Sequence, residues 1–383
     1  MSYSSQGILF LFVQLFMNRI IFLTWYNQKG KLLKRANMKA LFIGGTGTIS
    51  EAISRLGTQI GWEIYHLNRG NRKDEFKETG ITQITCDIRT EETKTIRKKL
   101  EEVLGSEKYF DVVVDFIAYV PEHVQKDYEI FNGICKQYVF ISSASAYQKP
   151  PSSYLITENT PLANPLWQYS RDKIACENYL MEKYRETGFP ITIVRPSHTY
   201  SERSVPLGVR GKKGSWQIIK RMLEGKPVII HGDGTSLWTM THSSDFARAF
   251  VRLMGNIHTI GEAIHITSDE SLTWNQIYQI VANTLNVELK AVHIASDFLE
   301  ACGGDIYDFK GTLLGDKANS VVFDNTKLKQ FVPDFCAKVR FDEGIKMTID
   351  YILKHPQQED PEFDTWCDKV IETVNTALKN FCN

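Results

Sequence analysis

Between residues 38 and 196 the chain alternates short, continuous apolar runs with longer segments of helical spacing, and this rhythm limits the folds open to it. Lys39–Ile43 (KALFI) ends in a glycine turn, and residues 49–60 follow with helical spacing. Residues 62–67 and 83–86 read as the second and third strands, and 96–104 as a helix. Residues 111–116 (DVVVDF), Tyr138–Ile141 (YVFI) and 191–194 (ITIV) are further strands. A strand that is apolar at successive positions must be covered on both faces, and strands separated by helices run parallel. The pattern predicts an α/β fold: a doubly wound parallel sheet of the Rossmann type.

Beyond Pro196 the rhythm changes. Residues 208–214 are rich in glycine and lysine and read as a mobile loop. Helices are expected at Trp216–Leu223, 245–254 and 275–285, and strands at Val228–His231 and 263–267. This gives a dinucleotide-binding domain over 38–200 and a smaller C-terminal substrate lobe over 201–355, interleaved with the last core elements. A helical tail follows over 356–383, with an amphipathic helix expected near 361–381. At 383 residues the chain is long enough for one large domain with an appended lobe. Residues 1–37 stand apart. Two apolar stretches, 8–17 and 20–26, are interrupted by Asn18 and Arg19 and followed by Lys29, Lys31, Lys34 and Arg35. A central arginine costs roughly 2.5–3.5 kcal/mol on insertion, and the basic run lies on the wrong side for a signal peptide. A start placed too far upstream of Met38 is the favoured reading, and an N-terminal membrane anchor the alternative.

Formal net charge is zero, which provides no global field for nucleic acid or acidic membranes. The seven cysteines form no CxxC and no Cys/His cluster, so neither a metal site nor a disulfide framework is expected. Their odd number fits a reducing cytoplasm.

Gly44-Gly45-Thr46-Gly47-Thr48-Ile49-Ser50 joins the first strand to the first helix. Glycines at 44 and 47 let the backbone turn tightly against a pyrophosphate, which the helix N-terminus favours with its N–H groups and dipole. The strand–turn–helix setting is what gives the motif weight. Ser50 replaces the third glycine, so helix and strand are expected slightly further apart. At the end of the second strand, about 20 residues on, the chain reads His66-Leu67-Asn68-Arg69-Gly70-Asn71-Arg72. No acidic residue is there to hold a ribose 2′-hydroxyl, whereas Arg69 and Arg72 can pair with a 2′-phosphate. NADP(H) is therefore favoured over NAD(H). Asp87, after the third strand, is placed to contact adenine or to cap a turn.

Tyr169-Ser170-Arg171-Asp172-Lys173 has the form YxxxK, which on a helix sets Tyr169 and Lys173 one turn apart. A nearby ammonium favours a phenolate, so Tyr169 is expected as the general base or acid and Lys173 as its charge partner and a ribose contact. The motif follows Ser142-Ser143-Ala144-Ser145-Ala146-Tyr147 and precedes Val194-Arg195-Pro196. In this order of motifs, residues 38 to about 245 resemble the extended short-chain dehydrogenase/reductases, the NAD-dependent epimerase/dehydratase group. The resemblance implies that Ser143 is catalytic and hydrogen-bonds the reacting oxygen, and that Pro196 packs by the nicotinamide carboxamide. Thr48, Ile49, Asn68 and Ala118 are further expected cofactor contacts and Ser145 and His198 expected substrate contacts, while Trp238 is expected either to stack on a sugar or base or to belong to the core. A homodimer is common in the family.

Departures from the family narrow the chemistry. The 4,6-dehydratases of the group carry Asp and Glu after their catalytic threonine. Ala144 and Ser145 stand there, a pattern similar to 4-epimerases and simple reductases. Residues 231–245 resemble an element whose arginine grips a substrate diphosphate, but Trp238 occupies that place. Either another cation (Arg203, Arg210, Lys212 or Lys213) serves, or the substrate is not a nucleoside diphosphate. The expected activity is hydride transfer at a secondary alcohol or ketone of a sugar or sugar nucleotide, by an epimerase or reductase. The alternative is a non-catalytic member. The strand end at Asn68 and the runs Gly315-Asp316-Lys317 and Phe323-Asp324-Asn325 resemble those of chloroplast stem-loop RNA-binding relatives.

Overall fold

The computed structural model describes residues 38–70 and 80–382; the 1–37 extension and Arg72 lie outside these. A seven-stranded parallel sheet forms the centre. Its strands are β1 (Lys39–Ile43), β2 (Glu63–Asn68), β3 (Ile81–Thr85), β4 (Val112–Asp115), β5 (Tyr138–Ile141), β6 (Ile191–Pro196) and β7 (Ala263–Ile266). They lie in the order β3-β2-β1-β4-β5-β6-β7, every neighbour parallel. The order reverses between β1 and β4, and such a switch point opens a crevice at the carboxyl ends of the strands.

The strands are apolar throughout because both faces are covered. Ala40, Phe42, Val112, Val114, Val139 and Ile141 belong to one hydrophobic cluster, with Ile53 of α1 (Thr48–Gln59) and Phe246 and Phe250 of the helix Ser243–Leu253. Leu41, Ile43, Val113, Tyr138 and Phe140 point the other way. There they meet α2 (Thr93–Leu104), α3 (Pro121–Phe131) and α4 (Gln168–Thr187) through Ile96, Leu100, Val124, Ile130, Cys176 and Leu180. The sequence reading did not include α3. It opens with Pro121 at a first-turn position, where the missing N–H costs nothing. Its stripe is interrupted by Asp127, a buried carboxylate paired with Arg89 at 2.8 Å.

A third cluster fills the lobe, joining Trp238, Trp274, Ile229 and Ile230 to Phe341, Ile345, Phe363 and Ile371. The last of these come from the helices Phe341–Ile352 and Pro361–Cys382, so the C-terminal helix packs into the lobe core. Residues 208–214 pack as well, which corrects their reading as a mobile loop. A Cβ on Gly208 would lie 2.7 Å from the His231 ring and one on Gly211 2.8 Å from the Phe363 ring. The glycines there serve close approach. Lys310–Lys317, absent from the sequence reading, is an eight-residue π-helix. Its Gly311 and Gly315 lie against Trp167 and Leu166.

Candidate active site

At the carboxyl end of β1, Gly44 takes φ +83°, and a Cβ on it would lie 2.5 Å from Ile117 Cγ2. Gly45 lies against the ring of His66, and its N–H donates to Asn68 Oδ1 at 3.1 Å. Beside Gly47 there is room: the nearest atom to an added Cβ is Ser50 Oγ at 3.5 Å. Ser50 is buried, donates to Gly44 O at 2.9 Å and accepts from Gly47 N at 2.8 Å. In place of the third glycine, then, a hydroxyl pins the turn to the start of α1, which Thr48 and Ile49 open. The first-turn N–H groups have no acceptor within the helix and suit a phosphate.

A cavity of about 810 Å³ adjoins this turn, within the range of small-molecule and cofactor sites. Gly44, Gly47, Asn68, Arg69 and Asp87 all line it. Arg69 is exposed, and Asp87 also holds its own turn, its carboxylate accepting from Arg89 N at 3.0 Å. A bare glycine surface, an uncharged strand end and an arginine at the rim fit a dinucleotide. Arg89, also at the wall, was not foreseen; its guanidinium joins Asp115 (2.6 Å) and Asp127 (2.8 Å) below the cavity floor. Its signal was only a lone arginine following Asp87.

A second cavity, about 230 Å³, brings together Ser143, Ser145, Tyr169, Pro196, His198 and Trp238. Tyr169 sits in the first turn of α4, and Lys173 follows one turn later, buried. The ammonium does not neutralise a phenolate in the expected way. Its Nζ donates to Ala118 O at 2.6 Å and Ile141 O at 2.7 Å, and lies 5.7 Å from the centre of the Tyr169 ring. Burial pushes the phenol up to about 12, with the facing Ser143 hydroxyl drawing it partly back. Burial likewise draws Lys173 down to about 8. Burial thus outweighs the ammonium, whose protons are held by the Ala118 and Ile141 carbonyls, and lowering the phenol would draw on the positive charge of an oxidised nicotinamide as well.

Ser143 is the first of three linked hydroxyls. Ser170 Oγ donates to Ser145 Oγ at 2.8 Å, and Ser145 Oγ lies 2.9 Å from Ser143 Oγ. Ser145 therefore supports Ser143 as well as lining the cavity. Asn164 ties the parts together. Its amide donates to Ser145 O (2.9 Å) and Gly315 O (2.8 Å), and its oxygen accepts from the Trp167 N–H at 3.2 Å. On the lobe side, burial keeps His198 neutral, its pKa well below the usual value, aided by the charges of Lys317 and Arg210. Of the four cations weighed as replacements for the missing arginine, Arg210 lines this cavity. Arg203 pairs instead with Glu51 at 2.8 Å. Lys149, Asp316 and Lys317 also line it and were not read from the sequence as site residues. Among the described residues no group of three His, Cys, Asp or Glu side chains is placed to hold a metal ion. No described helix is long and apolar enough to cross a membrane.

This crevice, glycine turn and Tyr/Lys helix define a dinucleotide-dependent oxidoreductase class. The model of the NAD dependent epimerase/dehydratase family matches residues 40–267, and the chain belongs to that family, whose enzymes are of the extended short-chain dehydrogenase/reductase type. The 2′-dehydrokanamycin reductase of Streptomyces kanamyceticus is 23% identical over 261 residues, which is 68% of this chain and 70% of that protein. The chloroplast stem-loop binding protein of 41 kDa b from Arabidopsis thaliana is 26% identical over 264 residues, 67% of this chain and 66% of its own length. In fold, the chain is similar to a UDP-glucuronic acid 4-epimerase from Bacillus cereus solved with UDP-glucuronic acid and NAD. The TM-score is 0.65 at 20% identity, covering 83% of this chain and 99% of that one.

Proposed function

We propose that this chain catalyses hydride transfer at a secondary alcohol or ketone of a sugar or sugar nucleotide, as a reductase or 4-epimerase, with NADP(H) preferred. The observation that carries the reading is the single cavity that Ser143, Tyr169 and Pro196 share, with Lys173 buried behind the phenol. Gly44, Gly47, Thr48, Ile49 and Asn68 would hold the dinucleotide, and Arg69 its 2′-phosphate. When bound, the nicotinamide supplies or accepts the hydride. With Ser170 donating into Ser145, the consistent sense of the chain has Ser145 donating to Ser143. The Ser143 proton is then left for the substrate oxygen.

Tyr169, held up near 12, is protonated at neutral pH and able to give its proton to a reduced carbonyl oxygen. Running it as a base near pH 7 requires about 7 kcal/mol of phenolate stabilisation. The protonated phenol is the form that ketone reduction uses, and the reverse oxidation would draw on the positive charge of an oxidised nicotinamide beside it. Asp316, the carboxylate lining the cavity, lies within 4.0 Å of Lys149 and Lys317. Ala144 and Ser145 stand after Ser143 in place of the acid pair of the dehydratases, which favours a reductase or epimerase over a dehydratase.

Tyr169→Phe is the test. With NAD(P)H and a panel of keto sugars, turnover should fall about 10²–10⁴-fold while cofactor affinity is retained. Unimpaired turnover would remove the mechanism. Native mass spectrometry of the purified chain would show which dinucleotide stays bound, and tight retention favours an epimerase over an exchanging reductase. A second reading, RNA binding, is favoured by the stem-loop binding relative; stem-loop affinity that falls steeply with salt would support it.

A further inference from the structure

We propose that Lys149 and Lys317 form a two-ammonium clamp for an oxyanion carried by the substrate, a carboxylate or a phosphate, beside the group that reacts at Tyr169. The inference rests on the oxidoreductase reading for the identity of the reacting group. It rests on the lobe side of the cavity for everything else.

The two lysines come from separate parts of the chain. Lys149 follows the Ser143 turn, and Lys317 ends the π-helix Lys310–Lys317. Both line the cavity of about 230 Å³ that holds Ser143 and Tyr169, a volume suited to one small ring and its substituent. They are 4% and 7% exposed, and lysines are seldom buried so far without a partner. Their shared carboxylate is Asp316, 3.8 Å from Lys149 and 3.6 Å from Lys317. Arg210 adds a third cation to the same wall. Asp316 is shared between the two ammoniums, and the Asp308 carboxylate also acts on Lys317. Among the described residues the Lys149 ammonium makes no hydrogen bond, and that of Lys317 donates to Thr312 O at 3.2 Å. Burial draws both ammoniums below their ordinary range, and the charge of Lys317 adds to the effect at Lys149.

Trp238 supplies the independent observation. Its indole is 5% exposed, lines the cavity, and has an Nε1–H without an acceptor among the described residues. The Lys149 and Lys317 ammoniums lie 5.6 and 6.0 Å from its ring centre. Two ammoniums that share Asp316 and an indole N–H without an acceptor thus line one cavity with more donors than the acceptors beside them take up. A buried excess of this kind is costly unless a ligand anion completes it. The clamp is also preorganised. The carbonyl of Lys317 accepts from Trp274 Nε1 and Ser236 Oγ, each at 3.1 Å, and His231 Nε2 lies 3.3 Å away.

The test is calorimetric titration of the cofactor-loaded full chain with methyl α-glucoside, glucuronate and glucose 1-phosphate. At least one anionic probe should bind about tenfold or more tighter than the neutral one. Whether glucuronate or the phosphate prevails tells the source of the oxyanion. Lys149→Met and Lys317→Met should each remove that preference, with Lys→Arg restoring part of it, while cofactor affinity, reporting an intact fold, stays unchanged. Equal binding of neutral and anionic probes, no binding of any probe, or an unchanged anion preference in both Met variants overturns the clamp. The two readings fail separately. A clamp confirmed alongside full turnover in Tyr169→Phe sinks the mechanism alone. Lysine variants with unaltered anion affinity, alongside a Tyr169→Phe variant that no longer reduces ketones, sink the clamp alone.

Discussion

Gly45 is a position where the need for glycine can be measured, because its backbone is not left-handed and any cost of a side chain is steric. A Cβ there would lie 2.5 Å from Nδ1 of His66. Relaxed contact is about 3.5–4.0 Å, so ring and turn must part by about 1 Å. The ring cannot withdraw freely. It is fully buried, stacked on Phe42 with centres 5.9 Å apart, and 2.7 Å from Ser54 Oγ through Nε2. Overpacking costs about 1–3 kcal/mol, and loosening the hydrogen bond of the buried Ser54 hydroxyl adds about 1–3 kcal/mol. Gly45→Ala should therefore lose about 3 kcal/mol in urea unfolding. Dinucleotide affinity should fall with it, since the same displacement pulls Gly45 N–H from Asn68 Oδ1. The decisive measurement is a double-mutant cycle with His66→Ala. Once the ring is gone, Gly45→Ala should cost almost nothing further, a coupling of about 2–3 kcal/mol. An equal cost in both backgrounds would refute the ring contact as its origin.

Acid should destabilise the fold in a defined window. His66 and His231 are buried and held down to about 4 from an unfolded value of 6.5. The unfolded chain therefore binds the extra protons as pH falls from 6.5 towards 4. Each costs about 3 kcal/mol by pH 4, and the His66→Ala variant should show a shallower fall in unfolding free energy over that window. Gly311→Ala would set a Cβ 2.5 Å from Trp167 Nε1, shifting a residue that lines the substrate cavity. Substrate KM should rise about tenfold with cofactor affinity unchanged, and an unchanged KM would show that Trp167 yields freely. Arg69→Ala should lower affinity for NADP(H) and leave NAD(H) alone; equal effects on both would remove the 2′-phosphate contact.

The sheet was legible because each buried strand is a compact apolar run. KALFI and YVFI match β1 and β5 at both ends. α3 was not, because Asp127 and Pro121 disguise a helix whose charge is compensated only in three dimensions, by Arg89 and by the Tyr138 hydroxyl at 2.8 Å. Lys310–Lys317 was hidden for another reason. Its i→i+5 bonding has no period that a search at 3.6 residues would find, and two glycines argue against any helix. On the site, YxxxK and the serine turn carry local spacing that a sequence displays. Lys149 is a lone lysine in a loop, and nothing local distinguishes it from a surface charge. Its meaning comes from Lys317, 168 positions away by their numbering.

That separation bears on how the substrate side works. A single arginine on the 231–245 segment would read a phosphate from one element. With Trp238 there, the cations belong to a loop behind Ser143 and to a helix docked from the far end of the chain. Asn164 bonds both, through Ser145 O and Gly315 O. It also accepts from Trp167 N–H at the start of the helix that carries Tyr169. Docking of residues 310–317 and alignment of Ser143 and Tyr169 are therefore one packing problem. A substrate anion that draws Lys149 and Lys317 together strengthens the contact that also positions the reacting hydroxyls. Binding energy from a group that does not react is then available at the one that does.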